Sequence, residues 1–469
     1  MTQVEDVAAA TVVRFPEGFR WGVATAAYQI EGATAADGRT PSIWDTFART
    51  PGRVFQGHTG DVACDHYHRY AEDVALLREL GVDTYRFSVS WPRVKPDGGG
   101  PVNARGLGFY DRLVDELVAA GIRPMATLYH WDLPQCLEDR GGWTARDTAS
   151  HFADYAAAVH ARLGDRVGTW TTLNEPWCSA FLGYASGDHA PGRTDPGAAF
   201  RAVHHLLLAH GLGVRALRAG GAAEVSITLN LSPVVADDPA DPHGRAAATL
   251  LDGLHNRLFL DPLLRGGYPA DMLAIAERFA GLEFIEPGDT EVIAAPIDLL
   301  GVNYYQPTHV KAQVGAPAAA PFPGSEGVAY PPHDLPTTQM GWPIDADGLY
   351  ALLTRLAVDY PDTPLMITEN GAAFSDVPTE EGVVDPDRID FHDAHLRAAH
   401  AAIADGVDLR GYLAWSLLDN FEWAYGYDKR FGLVYVDYAT QRRLPKHSAL
   451  WYRDVVARRG LLPSGTRPI

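Results

Sequence analysis

Eight short β-rich runs recur along this chain. After most of them come a polar turn and then an Ala- and Leu-rich stretch whose apolar residues fall at helical spacing. The runs are FRWGVATAAYQ from Phe19, DTYRFSVSW from Asp83, IRPMATLYHW from Ile122, GTWTTLNE from Gly168, EVSITLNL from Glu224, IDLLGVNYY from Ile297, PLMITENG from Pro364 and GYLAWSLLD from Gly411. Amphipathic stripes at 71–80, 106–120, 151–164, 200–219 and 391–406 predict helices between them, with Gly81, Gly121, Gly164 and Gly406 at or just past the ends, where helices stop. Strand and helix alternating in this way predict a closed parallel barrel, the (β/α)8 or TIM barrel of the α/β class. An open doubly wound sheet is the competitor, but no G-x-G-x-x-G fingerprint follows the first run and no Walker-type loop is present. At about 150 residues per domain the length suggests three domains. Barrels break that rule and no linker divides the sequence, so residues 1–469 read as one catalytic domain with its barrel core at about 15–455. Irregular stretches at Asp97–Asn103, Ser186–Gly197, Ser232–Gly244, Gln306–Asp345 and Phe374–Arg388 read as extended rim loops.

Composition removes several classes of function. Lys and Arg number 39 against 59 Asp and Glu, a formal charge of −20, with no basic block. That argues against a nucleic-acid partner and against an anionic membrane surface. The three cysteines, Cys64, Cys136 and Cys178, are too few and scattered for a disulfide scaffold or a thiolate zinc site. The N-terminal residues MTQVEDVAAATVVRFP carry neither a basic n-region nor a long apolar run, so the expected location is the cytoplasm. Self-association into a homo-oligomer stays open.

The chemistry gathers where the runs end. The first closes in Gln29, Ile30 and Glu31; the third in His130, Trp131 and Asp132; the fourth in Asn174 and Glu175. The sixth ends in Asn303 and Tyr305, the seventh in Glu369 and Asn370, and the eighth holds Trp415. In a barrel these C-terminal strand ends share one rim, where active sites form. Glu175 and Glu369 each follow an apolar strand, and two carboxyls across a barrel mouth can divide the labour of glycosidic cleavage, one protonated and one ionised. Arg86, at the end of the second run, can keep one of them charged. The competing reading makes both glutamates helix caps. Eleven Trp, among them Trp131, Trp177, Trp415 and Trp423 beside the polar ends, suit the C–H faces of pyranose rings. Gln29, His130, Asn174 and Glu422 can each make two hydrogen bonds to hydroxyls.

No metal or organic cofactor is called for by two-carboxylate chemistry. His66 and His68 precede a helical stripe, where positions two apart do not share a face, so they and the adjacent His204 and His205 read as structural histidines. The chain has no G-x-S-x-G elbow. Cys178 reads as a small apolar wall of the pocket rim.

The segments QIEG (29–32), YRFSVSW (85–91), HWDLP (130–134), TLNEP (172–176), NYY (303–305), ITENG (367–371), WSLLDNFEW (415–423) and RFGLVYVDY (430–438) resemble glycoside hydrolase family 1, over nearly the whole chain. The resemblance implies a retaining mechanism, with Glu175 as general acid/base and Glu369 as nucleophile. Arg86 and Tyr305 resemble the residues that hold the nucleophile. Gln29, His130, Trp131, Asn174, Asn303, Glu422 and Trp423 resemble the sugar-binding set, Trp415 its stacking platform, and Trp177, Leu182 and Trp342 the leaving-group side. The partner implied is a small-molecule β-glycoside or short oligosaccharide, most simply a terminal β-glucoside such as cellobiose, in carbohydrate metabolism and cellulose degradation. Members that cleave 6-phosphoglycosides carry Ser where this chain has Glu422 and Tyr where it has Phe431, although Lys429 is present; an unphosphorylated substrate is expected. β-Galactosidase, β-fucosidase or transglycosidase activity and a catalytically silent sugar-binding protein are the alternatives.

Overall fold

A computed structural model describes residues 12–463. The reading of the first eleven residues as free of a targeting segment lies outside them. All eight runs form strands: β1 (Arg20–Ala24), β2 (Thr84–Ser88), β3 (Arg123–Tyr129), β4 (Thr169–Asn174), β5 (Glu224–Asn230), β6 (Leu299–Asn303), β7 (Leu365–Asn370) and β8 (Leu409–Trp415). Each pairs in parallel with the next, and β8 closes on β1 with Gly411 opposite Arg20 and Trp415 opposite Ala24. Beyond the barrel, Val13–Arg14 pairs antiparallel with Gly460–Leu461.

The five stripes are helical, and each helix starts earlier than its apolar pattern: His66–Glu79, Ala104–Ala119, Asp147–Leu163, Pro196–Ala219 and Pro386–Ala404. Their first turns are polar or proline-led and leave no hydrophobic signal. Asp195 shows the physics: it caps the helix by accepting from the Ala198 amide at 3.1 Å, and Pro196 follows at the first position, where its missing N–H costs nothing.

One correction concerns the run ends. The first strand stops at Ala24, and Ala27–Ile30 is a helical turn, so Gln29 sits on a short helix instead of a strand end. Two of the rim loops are also less irregular than expected. Thr308–Ala312 and Val328–Ala329, both from the Gln306–Asp345 stretch, join Val234–Ala236 in a three-stranded sheet. Strands this short, paired across distant segments, leave no period to read.

The barrel interior changes character from bottom to top. Met125, Leu299, Met366 and Leu413 form an apolar plug. Hydroxyls follow: Thr171 and Ser226 share a hydrogen bond at 2.8 Å, and Thr228 donates to Thr368 at 3.3 Å. Gly301 on β6 leaves room for that layer, since a Cβ there would stand 2.3 Å from Thr228 Oγ1 and 2.8 Å from Thr368 Oγ1. Above the hydroxyls come buried charges.

The histidines set aside as structural are engaged locally. His66 Nδ1 lies 2.7 Å from Asp73 and His68 Nδ1 2.6 Å from Asp65; His204 Nε2 lies 2.8 Å from Asp289, and His205 Nδ1 donates to the Trp143 carbonyl. Among the described residues no helix is long and apolar enough to cross a membrane.

Candidate active site

A cavity of about 910 Å³ opens at the C-terminal end of the barrel. Residues from β3, β4, β6, β7 and β8, or the loops just after them, line it. Of the side chains that the resemblance assigns to the site, all but Gln29, Arg86 and Asn174 are on its wall, and those three are buried directly behind it. Three wall residues hold left-handed backbone: Glu175 (φ +48°), Trp131 (φ +75°) and Trp423 (φ +47°). A non-glycine residue there costs about 1–3 kcal/mol, which surrounding packing must offset. Glu175 and Trp131 take this conformation just after β4 and β3 end, and Trp423 takes it in a tight turn eight residues past β8.

Glu175 and Glu369 are joined through one polar lattice. Arg86 Nη1 donates to Glu369 Oε1 at 2.6 Å, and its Nη2 donates to Asn174 Oδ1 at 2.7 Å. Asn303 Nδ2 donates to that same Asn174 oxygen at 3.1 Å and to Glu175 Oε1 at 2.6 Å. Thr368 Oγ1, one residue before Glu369, donates to Asn303 Oδ1 at 2.8 Å and fixes its orientation. Tyr305 OH completes the set by donating to Glu369 Oε2 at 2.7 Å. The glycine after Glu369 and Asn370 has its own reason: a Cβ on Gly371 would lie 1.8 Å from the Trp415 carbonyl oxygen.

The two carboxyls have unlike surroundings. Burial raises both. For Glu369 the adjacent Arg86 charge and the Tyr305 hydroxyl oppose that rise. Glu175 has no ion-pair partner within reach, and burial with the charge of Glu369 pushes it up to about 8. Burial and the same two neighbouring carboxylates also push Glu422 up to about 8. Burial, helped by Arg86, drives His130 well below its ordinary range, so its ring is neutral. Of the pair, Glu369 has a cation that favours its ionised form and Glu175 has none.

At the closed end, Gln29 Nε2 donates to Asn420 Oδ1 and to the Phe421 carbonyl, both at 2.9 Å, and lies 3.5 Å from Glu422 Oε2. Gln29 Oε1 and His130 Nδ1 have no partner within the protein. Asn174 Nδ2 donates to His130 Nε2 at 3.1 Å, which leaves the His130 proton on Nδ1. The Trp415 and Trp423 rings lie 5.8 and 6.0 Å from His130, each within 20° of parallel. Trp131 packs against Trp423 at 4.5 Å, and its indole N–H is spent on the Asn174 carbonyl at 3.0 Å.

Trp177, Leu182 and Trp342 also line the cavity. Trp177 is flanked by His255 at 4.7 Å and Phe322 at 5.1 Å. Neither neighbour was singled out in the sequence. Both come from segments between the barrel strands, with no motif to mark them. Phe431 packs beside Trp342 and Tyr305. Cys178 is the clearest difference from expectation: it is no inert wall, because its thiol donates to Glu175 Oε2 at 3.2 Å. The backbone turn after Glu175, closed by the Cys178 amide on the Glu175 carbonyl at 3.0 Å, brings the thiol back to the carboxyl. Lys429 pairs with Asp428 at 2.8 Å and does not line the cavity.

Comparison with known proteins adds an independent line. Residues 11–461 match the family model described as glycosyl hydrolase family 1. Thermostable β-glucosidase B of Thermobispora bispora is 59% identical over 455 residues, covering 97% of this chain and 93% of that protein. A bifunctional β-D-glucosidase/β-D-fucosidase of Bifidobacterium breve is 50% identical over 457 residues, covering 94% and 98%. Among solved structures, the psychrophilic β-glucosidase of Micrococcus antarcticus superposes with a TM-score of 0.93 at 53% identity, covering 96% of this chain and 98% of that one.

Proposed function

The chain belongs to glycosyl hydrolase family 1 and is a β-glucosidase, and from that premise we propose that it releases single terminal glucosyl units with retention of configuration. The observation that carries this reading is the asymmetry of the two carboxyls. Glu369 touches a guanidinium and a phenol, whereas Glu175 touches an amide and a thiol. Glu369 is the nucleophile and Glu175 the acid, then the base.

In the first step the Glu175 carboxyl gives its proton to the glycosidic oxygen as Glu369 attacks the anomeric carbon. The aglycone leaves, and an ester joins the sugar to Glu369. In the second step Glu175, now ionised, takes a proton from water, and that water displaces Glu369 from the opposite face. Retaining enzymes of this kind hold their carboxyls about 5–5.5 Å apart, against about 6.5–9.5 Å for inverting ones. A separation in the shorter range is supported by Asn303, which donates to Glu175 and whose amide also lowers the Glu369 pKa.

The inner end of the cavity supports exo action. His130, Trp415, Glu422 and Trp423 line that end with Gln29 buried behind them, and the unpartnered His130 Nδ1 and Gln29 Oε1 suit sugar hydroxyls. An unphosphorylated sugar suits this end, since buried Glu422 offers a carboxyl to a hydroxyl and Lys429 is paired with Asp428 away from the cavity. β-Fucosides are the second reading, favoured by the relative named as bifunctional. Loss of one matched hydroxyl costs about 1–3 kcal/mol, a preference and not an exclusion.

The test uses Glu369→Ala and Glu175→Ala with nitrophenyl glucosides and azide. The first variant should lose hydrolysis by several orders of magnitude and, with azide and an activated substrate, yield the α-glucosyl azide. The second should keep activity on dinitrophenyl glucoside, lose it on cellobiose and yield the β-glucosyl azide. Azide products of exchanged configuration would reverse the two roles.

A further inference from the structure

We infer that the Cys178 thiol is a positioning residue for Glu175, alternately donating to and accepting from the carboxyl oxygen that carries the catalytic proton. The inference rests on the acid/base reading of Glu175 given above. Each oxygen of that carboxyl has one protein partner. Oε1 accepts from the Asn303 amide at 2.6 Å, and an amide N–H can only donate. A proton on Oε1 would face that N–H head-on, so the acid form carries its proton on Oε2. Oε2 faces Cys178 Sγ at 3.2 Å, and a thiol both donates and accepts.

The partner therefore suits both halves of the cycle. With Glu175 ionised, S–H donates to Oε2; with Glu175 protonated, the S–H turns away and sulfur accepts from Oε2–H. The contact is weak in either direction, so the proton is released to the leaving oxygen with little held back. Burial and the Glu175 charge push the thiol far above its ordinary range, and it stays S–H throughout. The backbone serves the same geometry: the Cys178 amide donates to the Glu175 carbonyl at 3.0 Å and fixes the turn that presents Sγ. Other titratable groups also act on Glu175: Glu369 from β7, Arg86 from β2, Tyr305 after β6 and Glu422 after β8. Substitution at Cys178 leaves all of them in place.

The experiment is the pH profile of kcat/KM on 4-nitrophenyl β-glucoside for wild type, Cys178→Ala, Cys178→Ser and Glu175→Gln, each checked by thermal melting. Activity needs Glu175 protonated, so it falls as pH rises through the Glu175 pKa. Alanine removes a donor to the carboxylate, and the basic limb should move up by roughly half a pH unit. Serine keeps a donor, and the limb should stay at or below that of wild type. Glu175→Gln should abolish the limb. Ala and Ser variants moving together, or a limb unmoved in Cys178→Ala, would overturn the role of the thiol. A basic limb that survives Glu175→Gln would overturn the acid/base reading itself, and the inference with it.

Discussion

Arg86→Met removes the cation paired with Glu369, the nucleophile of the proposed mechanism, while keeping an apolar stem of similar length. The guanidinium has four bonds to lose besides its charge: Nη1 to Glu369 at 2.6 Å and to the Thr368 carbonyl at 3.4 Å, Nη2 to Asn174 at 2.7 Å and Nε to Thr127 at 3.1 Å. It is 1% exposed, so no water can replace it easily. Removing one partner of a buried ion pair costs about 3–5 kcal/mol. Glu369 avoids that cost by taking up a proton. One pKa unit corresponds to about 1.4 kcal/mol, so the lower end of the range lifts the Glu369 pKa by about 2. On the proposed mechanism, turnover needs Glu369 ionised and Glu175, at about 8, still protonated. The acidic limb of kcat/KM should therefore rise by about 2 pH units in the Met variant and close on the basic limb from below. The fraction of enzyme in the productive protonation state then collapses even at the optimum. Arg86→Lys keeps the charge, but one ammonium cannot reach Thr127, Glu369 and Asn174 together, and its acidic limb should fall between the two. The assay is a kcat/KM profile on 2,4-dinitrophenyl β-glucoside, with circular dichroism to show that each variant is folded. A folded Met variant whose acidic limb stays within a few tenths of wild type would refute the reasoning.

Two further substitutions probe stability. In the folded protein Glu175 holds its proton up to about 8, against about 4.3 in an unfolded chain. Between those values the folded state binds more protons, so this carboxyl disfavours folding increasingly as pH rises. Glu175→Gln removes the titration, and its melting midpoint should pull ahead of wild type between about pH 5 and pH 8; a gap that does not widen contradicts this. Gly301→Ala forces a Cβ to within 2.3 Å of Thr228 Oγ1 and 2.8 Å of Thr368 Oγ1. It should cost about 1–3 kcal/mol of stability and, because Thr368 orients Asn303, lower kcat as well; an unchanged midpoint and kcat would show that the hydroxyl layer yields freely.

The strands were legible because each is a buried apolar run, and the carboxyls because they sit where such runs end. Helix starts were not, since Asp195–Pro196 and the polar turn at His66 signal through capping and not through hydrophobic spacing. Gln29 was found by its motif while its local structure was misjudged, because four residues after a strand can coil into one helical turn without any change of composition. Asn303 was read as a sugar ligand, yet its amide is spent on Glu175 and Asn174. A side chain's type does not say which of two neighbours it will serve. His255 and Phe322 remained hidden because no motif marks them. Cys178 was seen and undervalued, since sequence gives a thiol's position but not the direction of its S–H.

The contact between Gln29 and Asn420, Phe421 and Glu422 joins positions more than 390 residues apart. During synthesis the first of these leaves the ribosome almost at once, and the others emerge only near the end of translation. A nascent chain that already carries both Glu175 and Glu369 thus still lacks the partners of Gln29, and the proposed sugar pocket cannot close before the last strand of the barrel is made.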